Sequence, residues 1–282
     1  MSAWKQHTVI PGFRLSLGYT LFYVGLIILL PIAALVGETL SMSASQLWTV
    51  ITDEQVLASF RLSFGTALFA ASMNVVFGTL VAWVLVRYSF PAKRIFDALI
   101  DLPFALPTAV AGIALVAIYG PRGLLGEGLL AVGIKVAYTP VGVTLALIFV
   151  GFPFVVRTVQ PILQAFECEI EEVSASLGAS RMQTVSKVII PQLFPALLTG
   201  FSLALARGIG EYGSVIFIAG NLPYVSEITP LLVVSRLERF DYTGATAIAC
   251  SMLAFSLVIL MVINGLQGRL MRRYHSHSGG VV

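Results

Sequence analysis

Six stretches of the chain contain no charged residue, and each is long enough to cross a lipid bilayer as an α-helix of about 20 residues. All exceed the length of about 12 residues that is typical of helices in globular proteins. The 282-residue chain is 57% hydrophobic and only 11% charged, whereas a soluble domain is about 25% charged. These features predict an all-α integral membrane protein with six transmembrane helices. The six windows are 15–37, 62–86, 102–121, 136–156, 188–206 and 242–268.

The basic residues predict the orientation of these helices. With the N-terminus inside, eleven basic residues fall in inner segments and five in outer segments, as the positive-inside rule requires. Both termini and residues 157–192 are therefore expected in the cytoplasm. Because the basic residues mark membrane edges and form no stripe, no nucleic-acid partner is expected. The inner residues are Lys5, Arg14, Arg87, Lys93, Arg94, Arg157, Arg181, Lys187, Arg269, Arg272 and Arg273, and the outer ones are Arg61, Arg122, Lys135, Arg236 and Arg239.

Residues 157–192, which we call the coupling segment, contain a polar stretch, EEVSASLGASRMQTVSKVIIP, and predict two helices separated by a glycine. Apolar residues recur at steps of three and four before Gly178, which lies where a left-handed residue ends a helix. Ser180 and Gln183 form a capping-box pattern that begins the second helix. Pro191 lies where that helix ends or bends into the fifth span. The apolar residues before the glycine are Ile162, Leu163, Phe166, Ile170, Val173 and Leu177.

Two interpretations of the coupling segment are possible. It could be a surface helical hairpin that only closes a loop. However, structured loops longer than about 12–15 residues are usually functional, and four acidic residues crowd near one turn of the first helix. Since acidic side chains one turn apart repel each other mildly, a basic protein partner that covers them is the interpretation we favour. The acidic residues are Glu167, Glu169, Glu171 and Glu172.

The stretch RGIGEYG, residues 207–213, places charges inside the membrane region. Arg207 stands 14 residues beyond Leu193, which is about 21 Å along a helix. An unpaired ionisable group at such depth costs at least about 2.5–3.5 kcal/mol, and Glu211 lies on the same helix face. The pair could simply fix this helix against its neighbours. Alternatively, Arg207 or the N–H groups of the glycines at 208, 210 and 213 could stabilise a passing divalent anion, with a broken helix whose N-terminus faces it.

The third window opens with DLPFALPT, residues 101–108, in which two prolines start or kink the helix. This segment could be an entry turn at the membrane face. Alternatively, Thr108 and nearby backbone groups line a pathway, with Pro140 and Ser214 as weaker candidates. The sequence shows no nucleophile–His–acid set and no metal-ligand spacing, so neither a catalytic site nor a metal site is predicted.

The coupling segment resembles the EAA motif of type I ABC importer permeases, which have the MetI-like fold. The motif here runs from Glu172 to Gly178 and closes at Pro191, with Val173 and Ser174 where two alanines are usual. The resemblance implies a cytoplasmic coupling helix seated on an ATPase subunit. The residues so implicated are Glu171, Glu172, Ala175, Gly178, Ala179 and Pro191. The blocks DLPFALPTAVAG (101–112), PFVVRTVQP (153–161), GEYGSVIFIAGN (210–221) and RLERFDY (236–242) are similar to the sulfate/thiosulfate permeases among these importers.

This resemblance implies a permease subunit that translocates sulfate or thiosulfate by alternating access across the bacterial inner membrane. Its implied partners are the lipid bilayer, a second permease (CysW), two copies of the ATPase (CysA) and a periplasmic sulfate- or thiosulfate-binding protein. The chain has no G-x-x-x-x-G-K-[ST] phosphate loop, so ATP and Mg²⁺ are expected on the ATPase, and the chain itself is expected to carry no cofactor and not to be an enzyme. Translocation-pathway candidates are Thr108, Arg207, Gly210, Glu211 and Ser214.

The expected division of the chain is a tail, first helix and outer loop over 1–56, a transmembrane domain over 57–268 and a basic tail over 269–282. Three other functions remain open from the sequence alone. A permease for molybdate or another oxyanion shares similar sequence blocks. A self-sufficient secondary carrier or channel predicts internal repeats, and we find no convincing one. A membrane scaffold predicts no transport defect when the chain is deleted.

Overall fold

The computed structural model describes residues 13–166 and 168–278, and the regular structure within them is entirely helical. Two π-helical segments, Gly25–Leu29 and Val185–Ile189, join α1 to α2 and α11 to α12. The first seven helices are α1 (Phe13–Val24), α2 (Leu30–Leu40), α3 (Ala44–Ile51), α4 (Glu54–Arg87), α5 (Lys93–Ile100), α6 (Leu102–Ala105) and α7 (Thr108–Tyr119). The others are α8 (Gly126–Ala131), α9 (Pro140–Ala165), α10 (Cys168–Ser176), α11 (Arg181–Thr184), α12 (Ile190–Ile209), α13 (Val215–Ala219), α14 (Thr229–Glu238) and α15 (Tyr242–Ser278).

Five helical stretches in the described part are long and apolar enough to cross a membrane. Each has 26 to 34 residues and is therefore at least about 39 Å long, more than the hydrocarbon thickness of about 30 Å. They overlap five of the six predicted windows, and the all-α membrane fold is confirmed. The stretches are Leu15–Leu40, Glu54–Arg87, Pro140–Ala165, Arg181–Ile209 and Tyr242–Arg269.

The window predicted at 102–121 is divided by a break instead of forming one helix. Leu106, between α6 and α7, has an extended backbone with φ −82° and ψ 134°, because Pro107 sterically disfavours the helical conformation in the residue before it. The following α7 has 12 residues, or about 18 Å, and does not cross the hydrocarbon alone. The six predicted spans are thus five long helices and one interrupted segment.

The core of the bundle is formed by α4, α9 and α12, which approach one another through small residues. A Cβ on Gly78 of α4 would lie 3.0 Å from the side chain of Val155 on α9. A Cβ on Gly200 of α12 would lie 3.0 Å from the Cα of the same valine. Small residues at such positions allow the backbones of membrane helices to pack closely. Further buried residues here are Ala67, Ala70, Ala71, Val143, Ala146, Val156, Ala196 and Ala204.

The first span lies outside this core. The most apolar window of Leu15–Leu40 contains no buried residue. The span contacts α15 near its C-terminal end, where the Thr39 hydroxyl donates to the carbonyl of Thr246 at 3.4 Å. Its apolar sides therefore face the surroundings of the chain.

Two connecting segments hold further helices. Residues 38–61 hold α3, which begins with a capping box between Ser43 and Gln46, and the first turns of α4. Residues 220–242 hold α14. There the N–H of Thr229 donates to the hydroxyl of Ser63 on α4 at 2.7 Å, so α14 is attached to the core.

Candidate functional site

The coupling segment contains a break that its apolar spacing did not predict. That spacing predicted one amphipathic helix over 162–177, which is wrong, because α9 ends and α10 begins within this range. Phe166, at the break, has an extended backbone with φ −77° and ψ 112°. Its buried ring lies 5.7 Å from the guanidinium carbon of Arg87. Burial of this ring beside Arg87, at the end of α4, favours the break between α9 and α10.

The end of the polar helix has the predicted left-handed glycine. Gly178 has φ +84°, a conformation that side chains on Cβ disfavour. Its N–H donates to the carbonyl of Ala175 at 3.0 Å, and the N–H of Ala179 donates to that of Ser174 at 3.0 Å. These two bonds are the pair that defines a Schellman motif. The motif satisfies the carbonyls of Ser174 and Ala175 and ends α10.

The second helix of the segment begins as predicted and continues into the membrane. The Ser180 N–H donates to the side-chain oxygen of Gln183 at 2.8 Å, and the Gln183 N–H donates to the Ser180 hydroxyl at 3.3 Å. Pro191 lies in the first turn of α12, and the helical path runs through it. Proline lacks an N–H and its ring crowds the preceding turn, and the π-helical turn directly before it accommodates this.

One ion pair joins α10 to the bundle. Arg87, the last residue of α4, forms a salt bridge with Glu171 of α10. The Arg87 guanidinium also lies over the ring of Trp83, 5.4 Å from its centroid, in the range of cation–π attraction. Positive-inside reasoning identified Arg87 only as an inner basic residue. Its partner is 84 positions away in the sequence, and no local spacing pattern relates the two.

Much of the remaining surface of α10 and of the turn after it is exposed. Glu172, Ala175 and Gly178 are exposed, and Ala179 is half-buried. Beside them lie three exposed apolar side chains, Val173 at 57%, Leu177 at 82% and Met182 at 76% exposure. The result is a mixed acidic and apolar surface of a kind that marks interaction sites.

A second polar connection, not predicted from the sequence, involves the first residues of the coupling segment. Arg157, near the end of α9, donates to both carboxylate oxygens of Asp101 at 2.8 and 2.6 Å. It also donates to the carboxylate of Asp97 on α5 at 2.7 Å, and Gln160 joins the network. The hydrogen bond from Arg157 lowers the pKa of Asp97, although burial acts in the opposite direction. Bidentate pairing fixes orientation as well as distance, so α5 and α9 are braced against each other.

The ion pair predicted in the membrane region, between Arg207 and Glu211, is present. Arg207 forms a salt bridge with Glu211, whose side chain is 1% exposed, whereas that of Arg207 is 35% exposed. The other carboxylate oxygen of Glu211 accepts from the N–H and the hydroxyl of Ser214, both at 2.9 Å. Glu211 thus neutralises Arg207 and holds the turn after α12. The Arg207 side chain remains partly exposed.

The predicted pathway residues around this turn lie together. The helix breaks at Gly210, which ends α12, and α13 begins at Val215. A Cβ on Gly213 would lie 2.1 Å from the Thr108 hydroxyl oxygen, and one on Gly112 would lie 2.4 Å from the Ser214 carbonyl oxygen. Glycine is therefore required where α7 meets the turn. Because Glu211 accepts the Ser214 N–H, the start of α13 is already occupied by a carboxylate.

The fold is that of ABC importer permeases. A bacterial ABC transporter chain involved in alginate import superposes with a TM-score of 0.71 at 14% identity, covering 90% of this chain and 94% of the other. A chain of the MetNI methionine ABC transporter superposes with a TM-score of 0.56 at 18% identity, covering 82% and 99% of the two chains. At such identities the likeness concerns the fold alone.

Sequence comparison identifies the family within this class. Residues 74–276 match the model of binding-protein-dependent transport system inner membrane components, and the chain belongs to this family of multi-pass inner-membrane permeases. The sulfate transport system permease protein CysT of Escherichia coli (strain K12) is 49% identical, over 98% of this chain and 100% of the relative. The protein of the same name in Synechococcus elongatus is 47% identical, over 88% and 90%.

Proposed function

We propose that the chain is the permease subunit of an ATP-driven importer that carries sulfate or thiosulfate inward by alternating access. The observation that carries this proposal is the 49% identity, along 98% of the chain, to a relative named as a sulfate transport permease. The proposed partners are a second permease, CysW, two copies of the ATPase CysA, which bind ATP and Mg²⁺, and a periplasmic sulfate- or thiosulfate-binding protein.

The proposed orientation places both termini and the coupling segment in the cytoplasm. The positive-inside count supports it, and so does the clustering of basic residues with α10. Arg87 contacts α10 directly, and Arg157 lies nine residues before the break at Phe166. An inner location gives α10 access to a cytoplasmic ATPase.

The proposed ATPase contact is the surface of α10 and the turn after it. Glu172, Ala175 and Gly178 are exposed there, next to Val173 and Leu177. Burial of these apolar side chains by a partner is favourable, and exposed acidic groups complement a basic cleft. Glu171, Ala179 and Pro191 are proposed to act from within the chain: Glu171 attaches α10 to α4, and the other two belong to the path into α12.

Two connections transmit movement of α10 into the bundle in this proposal. The ion pair of Glu171 and Arg87 attaches it to the inner end of α4. The continuous helical stretch Arg181–Ile209 attaches it to α12. Since α4 and α12 are core helices, displacement of the coupling segment changes their relative position.

The proposed anion contact is the accessible part of Arg207. A divalent anion crossing a low-dielectric region needs a compensating positive charge, and Arg207 is kept in place by Glu211 without being buried. Thr108 and Gly210 are proposed to line the same passage. Ser214 is buried and its hydroxyl donates to Glu211, so its proposed role is to support the turn beside that passage.

Reconstitution of the chain with its partners in proteoliposomes tests the function. We expect ATP-dependent uptake of labelled sulfate and thiosulfate, with molybdate a poor competitor. Uptake of molybdate alone would assign the complex to another oxyanion. Transport by the purified chain without ATP would indicate a secondary carrier, and an assembled complex without any uptake would indicate a scaffold.

A further inference from the structure

Asn74 is a polar side chain at the centre of the core. It lies in α4, 13 residues before Arg87, which is about 20 Å from the inner end of that helix. The residue is 1% exposed. Neither its amide nitrogen nor its amide oxygen has a hydrogen-bond partner in the described part of the chain. An amide side chain offers two donors and an acceptor oxygen, and leaving them unpaired in a low-dielectric interior is unfavourable.

The surroundings of Asn74 form a narrow interface that we call the seam, in which α4 contacts α9 and α12. A Cβ on Gly151 of α9 would lie 2.6 Å from the Asn74 amide nitrogen and 3.4 Å from the Cβ of Ala204 on α12. The absence of a side chain at Gly151 therefore provides the room for the amide. Small residues lie on both sides of it along the seam: Gly208 contacts Ala67 on one side, and Gly78 and Gly200 contact Val155 on the other.

Glycine and alanine in the seam bring the helix backbones close together, with Val155 of α9 packed against Gly78 and Gly200. Glycine also leaves the backbone carbonyl unshielded, and each helical carbonyl has a second lone pair. A shift on the scale of one residue's rise, about 1.5 Å, changes which carbonyl the Asn74 amide faces.

We infer that Asn74 is a positioning residue that biases the α4–α9–α12 seam away from the arrangement seen here. Its amide is unpaired in this arrangement and gains a backbone partner when the helices shift during the transport cycle. The inference rests on the proposed alternating access of the permease. It assigns the free-energy difference between the two arrangements partly to one side chain that belongs neither to the coupling segment nor to the Arg207–Glu211 ion pair.

A disulfide across the seam reports the arrangement directly. A Cβ on Gly208 would lie 3.4 Å from the Cβ of Ala67, close to the separation of about 3.5–4.5 Å in disulfides. The parent for the test is the assembled complex with Ala67→Cys and Gly208→Cys, in which Cys168 and Cys250 are replaced by serine. The oxidised fraction is measured with and without a non-hydrolysable ATP analogue, together with sulfate uptake and ATP hydrolysis.

Two variants are expected to change cross-linking in opposite directions. Asn74→Leu keeps the shape but removes the amide, so the arrangement seen here gains about fivefold in population and the nucleotide effect shrinks. Gly151→Ala pushes the amide out of its space, so cross-linking falls. The control is Ser202→Ala on α12, because the buried Ser202 hydroxyl donates within its own helix to Leu198 and should have no effect on the balance.

The outcomes separate this inference from the proposed function. If the wild-type complex shows no ATP-dependent sulfate uptake, the proposed function fails. The inference alone is overturned if the parent transports sulfate but its oxidised fraction does not change with nucleotide. It is also overturned if the oxidised fraction of Asn74→Leu equals that of the control Ser202→Ala. A loss of assembly in Asn74→Leu leaves Gly151→Ala as the deciding variant, and unchanged cross-linking there contradicts the inference.

Discussion

At Gly178, which has a left-handed backbone, a substitution introduces backbone strain without the steric clash that usually accompanies it. A Cβ at this position would have no atom within 4 Å, whereas φ is +84°, so replacement strains the backbone without a clash. A non-glycine residue there costs about 1–2 kcal/mol, and a β-branched one more. We expect Gly178→Val to lower sulfate uptake per ATP hydrolysed, because α10 no longer presents its surface at the right angle. Gly178→Asn, which tolerates this φ, should stay near wild type in the same proteoliposome assay, and equal losses in both would contradict a backbone requirement.

Arg207 and Glu211 allow the role of a charge to be tested apart from folding. Arg207→Ala alone leaves a buried carboxylate unpaired, which costs about 3–5 kcal/mol. The double variant Arg207→Ala/Glu211→Gln removes both charges and keeps an oxygen acceptor for Ser214. We expect this double variant to assemble and hydrolyse ATP while sulfate uptake falls about tenfold or more. Arg207→Lys should retain part of the uptake. Wild-type uptake by the double variant would show that the Arg207–Glu211 ion pair has only a structural role.

At the contact of α10 with α4, substitutions of two neighbouring acidic residues, Glu171 and Glu172, can be compared. Glu171 forms the salt bridge with Arg87, whereas the neighbouring Glu172 is exposed. We expect Glu171→Gln to weaken coupling even when the ATPase remains bound, because movement of α10 no longer reaches α4. Glu172→Gln should instead weaken ATPase binding, with a steeper effect at low salt. Co-purification of the ATPase and uptake per ATP distinguish the two, and identical behaviour of both variants would rule out separate roles.

The helices and turns also show which features can be predicted from the sequence. The spans, the left-handed Gly178 and the Ser180–Gln183 capping box follow from composition and local spacing, and they are present. The break at Phe166 and the pairing of Arg87 with Glu171 depend on burial against distant helices, which a local pattern does not encode. Asn74 was missed for a related reason, since one polar residue inside an uncharged window leaves the periodicity unchanged.

The hydrogen-bonded network of Arg157 with Asp97 and Asp101, between α9 and α5, has a predictable pH dependence. The pKa of Asp97 lies below its usual value of 3.8 because Arg157 donates a hydrogen bond to the carboxylate. A lowered folded-state pKa means that this interaction stabilises the fold above pH 3.8 and is lost as the pH falls through the lowered pKa. We expect Asp97→Asn to destabilise the chain by about 0.2–1 kcal/mol at pH 7, since the pair is partly exposed. Thermal unfolding should show the same difference down to pH 5 and a shrinking one below 3.8; a difference that persists to pH 2 would contradict the assignment.

For the whole molecule, coupling to a cytoplasmic ATPase requires that every contact of α10 lie on the inner side. The helix α4 has 34 residues, about 51 Å, so its two ends must open to opposite sides of the membrane. Ser45, before α4, and Ser89, after it, are both exposed. In a cysteine-free background, Ser45→Cys should react with a membrane-impermeant maleimide in intact spheroplasts. Ser89→Cys should react only after permeabilisation. The reverse pattern would place α10, Arg87 and the brace of Arg157 outside, away from ATP, and the proposed coupling mechanism would be untenable.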